Sequence, residues 1–119
     1  MDEITVSGKT LVAEVTPEYL KFFEIAPEDL GFASVSIEDL TSLRGGDAEK
    51  NGVIISEVLE NKRLDAARSL VLMNAAAAIF VGGKAANLLE AVELAAASLE
   101  SGRALAKLES LVEKTREET

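Results

Sequence analysis

Cysteine and histidine are absent from this 119-residue chain, and it has one tyrosine and two prolines. Without cysteine there are no disulfides, no thiolate chemistry and no cysteine-held metal, a composition that suits the cytoplasm. Without histidine, any acid, base or metal work falls to carboxylates, lysines or Tyr19. Positive charge is also scarce. Twelve Lys and Arg against 21 Asp and Glu give a formal net charge of -9, which repels phosphate backbones and anionic membrane surfaces. Neither nucleic acid nor a membrane is an expected partner. The start MDEITV is acidic where a signal peptide would be basic. The apolar core of the most hydrophobic stretch, Asp65 to Gly83, is shorter than the ~20 residues a bilayer requires. The chain has no Walker loop, dinucleotide fingerprint or nucleophile elbow.

What is present divides into two parts. Hydrophobic residues make up 48% of the chain and charged residues 28%, which suits one domain over residues 1–119 with a core of its own. Residues 1–45 read as strand-rich with short helical turns, and residues 46–119 as helical. In the first part, Ile4, Val6, Leu11, Val12, Ala13 and Val15 lie in β-branched segments broken by Ser7-Gly8-Lys9, which reads as two strands or as a strand and a hairpin turn. Tyr19 to Ile25 reads as a further half-buried strand, with Lys21 and Glu24 on different faces. Pro27-Glu28-Asp29 opens a helical turn that Gly31 ends, and Ser36 with Asp39 marks another. Three short strands rarely complete a sheet, so an edge with unpaired backbone groups is expected.

From Asp47 the apolar period becomes 3.6. Asp47 caps a helix carrying the Ile54/Val58 and Ile55/Leu59 pairs. Asp65 caps a second whose residues from Leu70 to Val81 leave only Asn74 as a polar interruption, so it should be central and buried on every side. Asn74 reads best as a buried amide satisfied by a neighbouring backbone or water, because an unsatisfied one costs about 1–3 kcal/mol. Asn87 to Glu90 has the form of a capping box for a third helix burying Leu88, Val92, Ala95 and Leu99. Gly102 breaks it, and a fourth helix follows that places Leu105, Leu108, Leu111 and Val112 inward. The fold class is therefore α/β, or α+β for the chain as it stands: short strands in the first third, then about four packed helices.

Two groups of residues are candidates for chemistry. Asp2-Glu3 puts adjacent carboxylates at the mouth of a strand, an arrangement that can hold Mg²⁺ while waters and phosphate oxygens complete its shell. Taken alone, acidic residues beside an N-terminus are usually just solvated surface. Gly45-Gly46-Asp47 runs into a helix N-terminus, where free N–H groups favour an anion, but the Asp47 carboxylate can accept those N–H groups itself, and capping is the better reading. Arg44 beside it can hold a phosphate or pair with an acidic side chain.

Five strings resemble, in order, the C-terminal third of anthranilate phosphoribosyltransferase. They are Asp2-Glu3-Ile4-Thr5, Pro27-Glu28-Asp29-Leu30-Gly31, Leu43-Arg44-Gly45-Gly46-Asp47-Ala48 followed by Asn51, Leu72-Met73-Asn74 with Ala75 to Ala78, and Ser101-Gly102-Arg103-Ala104-Leu105. The resemblance implies part of an α/β domain from a Mg²⁺-dependent glycosyltransferase of tryptophan biosynthesis, which moves the phosphoribosyl group of phosphoribosyl pyrophosphate onto anthranilate. It implies that Asp2 and Glu3 bind one Mg²⁺ beside the pyrophosphate. It assigns no catalytic role to Gly45-Gly46-Asp47. The family's glycine-rich pyrophosphate loop and anthranilate-binding arginine lie upstream of the matching region. The expectation is a C-terminal fragment, cut inside the α/β domain and inactive alone, that pairs with the missing N-terminal part or self-associates. The alternative is a non-catalytic folding or protein-interaction module that self-associates through strand edges.

Overall fold

The computed structural model describes residues 3–117. Strands β1 (Thr10–Val15) and β2 (Leu20–Ile25) form an antiparallel hairpin with Thr10 opposite Ile25 and Val15 opposite Leu20. The turn between them is closed by Thr16, whose N–H donates to the Tyr19 carbonyl at 2.9 Å and whose hydroxyl accepts the N–H groups of Glu18 and Tyr19. Alternation puts Val12, Phe23 and Ile25 on the inner face, while Leu11, Val15, Leu20 and Phe22 are exposed on the other. That outer face is apolar and uncovered.

The described residues contain two strands, not three. Residues 4–6 bond to other partners. The Val6 carbonyl accepts the Val35 N–H at 2.9 Å, and both backbone groups of Ile4 bond the Asn74 side chain. Gly8, at φ 76°, turns the chain into β1 in a conformation that a side chain would strain. A 3₁₀ turn at Pro27–Leu30 buries Pro27 and Leu30 and ends at Gly31, φ 82°. Ser36 and Asp39 bond each other before a second 3₁₀ turn at Asp39–Leu43.

Four helices follow: α1 (Ala48–Leu59), α2 (Ala66–Val81), α3 (Leu88–Glu100) and α4 (Arg103–Glu117). Each of the first three has the cap read from the sequence. Asp47 accepts the Lys50 N–H, Asp65 that of Ala67 and Asn87 that of Glu90. Glu90 reaches back to the Ala86 N–H at 2.7 Å, one residue beyond the usual capping-box partner. Asn61, in the left-handed region at φ 57°, follows α1 and donates to the Leu99 carbonyl of α3 at 3.1 Å.

The core has two lobes, and α2 serves both. Leu72 and Ala67 join Val58, Ala95 and Leu99. Met73 joins Val6, Ile25 and Leu30. Alanines at 76, 91 and 95 keep no bulk between α2 and α3, so these helices make the most extensive contact in the fold. However, α2 is not enclosed on every side: Val71 and Ala78 are exposed, and Val81 is 84% exposed. Nor does α4 bury its stripe. Leu105 and Leu108 are half-buried, Leu111 and Val112 are exposed, and no residue of this helix is fully buried. A run of apolar residues shows which faces need cover, but cover also needs a neighbouring element. The accessible surface, 8151 Å² for 12.6 kDa, is roughly 2,000 Å² above that of a typical folded monomer of this mass.

Candidate functional site

Asp2 lies outside the described residues, and Glu3 is exposed at the rim of an open cleft of about 870 Å³. The cleft runs between residues 3–13, the loop at Ile37 and the middle of α2. Its polar lining comes from Glu3, Thr5, Ser7, Lys9, Thr10 and Asn74. Thr5 is committed locally, its hydroxyl accepting the Ser7 N–H at 3.0 Å. Lys9 is held by Glu24 at 2.9 Å, and that hydrogen bond raises its pKa above the ordinary lysine value. A second groove, about 440 Å³, adjoins the cleft at Ile4, Val12, Ala13 and Ala77 and is lined mainly by apolar groups including Val15, Phe23, Phe80 and Leu88.

Asn74 is the polar residue that α2 contributes to this site. Its Oδ1 accepts the Ile4 N–H at 2.9 Å, and its Nδ2 donates to the Ile4 carbonyl and, one helical turn back, to the Leu70 carbonyl, both at 2.9 Å. The amide is therefore satisfied by backbone, as read from the sequence. The identity of its partner, 70 residues earlier, had no signal there.

Gly45-Gly46-Asp47 is a cap. Asp47 takes the Lys50 N–H at 2.9 Å, and the Asn51 side chain accepts the Gly46 N–H at 2.8 Å while donating to the Gly46 carbonyl at 3.1 Å. A Cβ at Gly45 would run into Asn51 Oδ1 and push that amide off its bonds to Gly46. The capping role of Asp47 holds, but the Gly46 N–H goes to the Asn51 amide and not to the Asp47 carboxylate that the sequence offered for it. Arg44 is exposed beside it.

No three His, Cys, Asp or Glu side chains gather among the described residues in a way that could hold a metal. This rules out a cage built from those residues alone, but not the other way of holding a hard cation. One or two carboxylates at an open cleft, with waters and ligand phosphates supplying the other oxygens, is the usual manner for Mg²⁺. Glu3 at the rim fits that manner.

Residues 1–105 match the model of the glycosyl transferase family, a/b domain. This chain belongs to that family. Within it, the chain is 47% identical over 116 residues to anthranilate phosphoribosyltransferase of Rubrobacter xylanophilus, covering 98% of this chain and 33% of the relative. It is 50% identical over 111 residues to that of Geotalea daltonii, covering 93% of this chain and 31% of the relative. The crystal structure of anthranilate phosphoribosyltransferase from Thermus thermophilus superposes with a TM-score of 0.72 at 29% identity, covering 80% of this chain and 28% of the other. The chain thus spans about a third of the length of the relatives it matches, and the resemblance carried by the five sequence strings is borne out. The α/β fold class agrees with that neighbour. No helix among the described residues is long and apolar enough to cross a membrane.

Proposed function

We propose that this chain is the metal-bearing corner of an anthranilate phosphoribosyltransferase, acting in tryptophan biosynthesis in the cytoplasm and inactive until joined by the part of the enzyme it lacks. The observation that carries this reading is coverage: nearly the whole chain aligns with about a third of each relative. The surplus surface of roughly 2,000 Å² supports it, being about one partner's share of an obligate interface. In this reading Asp2 and Glu3 hold Mg²⁺ beside the pyrophosphate of phosphoribosyl pyrophosphate. When bound, the ion stabilises negative charge that grows on the leaving pyrophosphate. The chain's own share is to present Glu3 at an open cleft, while α2 and α3 serve as scaffold. One metal corner cannot orient two substrates, so transfer to anthranilate requires the remaining contacts.

The test is anthranilate consumption in the presence of phosphoribosyl pyrophosphate and Mg²⁺, by this chain alone and then mixed with the upstream part of a relative. The expected result is turnover only in the mixture, lost on replacing Asp2 and Glu3 by alanine. Turnover by the chain alone would overturn the proposal. A second reading, a non-catalytic module that self-associates, is favoured by one feature, the bare apolar face of the β1–β2 hairpin. It requires stability that rises with protein concentration and ignores Mg²⁺.

A further inference from the structure

We infer that Asn74 is a positioning residue for the metal corner, holding the backbone from which Glu3 projects. This rests on the reading of Asp2 and Glu3 given above and goes beyond it, because Asn74 lies on another element and its hydrogen bonds among the described residues go to backbone and not to a carboxylate. Its amide takes both backbone groups of Ile4, the N–H on Oδ1 and the carbonyl on Nδ2, each at 2.9 Å. This is the double exchange that a neighbouring strand would provide to a hydrogen-bonded residue, supplied here by one side chain, since no strand ladder among the described residues includes Ile4. The Ile4 N–H belongs to the peptide plane that also carries the Glu3 carbonyl, so the clamp sets the plane adjoining the Glu3 Cα. The bond from Nδ2 to the Leu70 carbonyl, also 2.9 Å, anchors the amide to its own helix and settles which end accepts and which donates. Met73, next along α2, is fully buried against a core on which Ile4 also packs. Glu3 is thereby referred to the most rigidly packed helix of the fold, although its own side chain is exposed. Sites whose ligands are oriented by a supporting shell lose affinity when that shell is removed.

The experiment titrates Mn²⁺ into this chain and follows paramagnetic broadening of the Ile4 and Thr5 amide signals. Asn74→Ser is the informative variant: its hydroxyl can still bond the Leu70 carbonyl within the helix but is too short to reach Ile4. We expect Glu3→Gln to abolish the localised broadening and Asn74→Ser to raise the Mn²⁺ midpoint about tenfold. Met73→Ala, which loosens the same core without removing the clamp, should lower the melting temperature and leave the midpoint within about twofold. An equal midpoint shift in Met73→Ala would overturn the positioning role, since loosening alone would explain it. A midpoint unchanged in folded Asn74→Ser, with Glu3→Gln still abolishing binding, would overturn the role of Asn74 and spare the metal reading. Broadening that survives Glu3→Gln, or none in the unsubstituted chain, would sink the metal reading and the inference with it.

Discussion

The α2–α3 pair and the β1–β2 hairpin are built from comparably apolar sequence, but one is finished and the other is not. In the helix pair, alanines at 76, 91 and 95 let two backbones approach closely, and Leu72 and Leu99 fill the remaining space to 2% exposure each. In the hairpin, the inner face packs through Val12, Phe23 and Ile25, while Phe22 on the outer face stays 64% exposed and joins neither core cluster of the described residues. Apolar side chains stabilise a fold only where a second surface meets them. The difference therefore separates the part of this chain that specifies its own packing from the part that presents an interface.

Substitutions should reproduce that division. The largest effect is expected for Leu72→Ala, which removes a fully packed side chain at about 2–5 kcal/mol, a sizeable share of a marginal total. Urea denaturation checks it, and a cost under ~1 kcal/mol would mean that the helix pair is not tightly packed. Next, Asn87→Ala deletes the cap of α3 and should cost about 1 kcal/mol in a thermal melt. Acid should act more weakly. The hydrogen bond from Arg63 holds the Asp65 carboxyl below its ordinary 3.8, while partial burial opposes the shift. The resulting stability is present above pH 3.8 and lost as the pH falls through the lower folded value. Because both groups are solvent-accessible, screening keeps it small. Melting curves of wild type and Asp65→Asn should therefore converge on acidification below that point, and curves that diverge would refute the assignment. The smallest effect is expected for Phe22→Ser, under about 0.5 kcal/mol for the chain alone. A loss above ~2 kcal/mol there would show that the hairpin's outer face is covered in solution and would erase the contrast between the two regions.

Features specified by neighbouring residues were legible in the sequence. Asp47, Asp65 and Asn87 cap the helices expected of them, and Gly31 and Gly102 adopt positive φ where the helical segments end. A cap or a left-handed stop is a local decision involving a few residues. Strand pairing and enclosure are not local. Residues 4–6 have strand composition, but their backbone is satisfied by Asn74 and Val35, and nothing in a β-branched run says whether a ladder partner will arrive. The inward stripe of α4 follows from periodicity and the all-round burial of α2 from its want of a polar face between Leu70 and Val81, and both count faces and not neighbours. At the site, the residue types were visible: Glu3 as a hard-oxygen donor and Asn74 as the one polar break between Leu70 and Val81. Their connection through the Ile4 backbone required the fold.

That connection also has a consequence for the order in which the molecule assembles. Asn74 meets Ile4 at a sequence separation of 70, whereas the bonds within each helix span a single turn. Closing so long a loop costs chain entropy that a preformed docking surface must repay. The corner bearing Glu3 is thus expected to attach after α2 exists, as the last piece gained in refolding and the first to detach in partial opening. Pulse-labelled amide exchange during refolding would show Ile4 protected after the residues of α2, and simultaneous protection would refute this sequence of events.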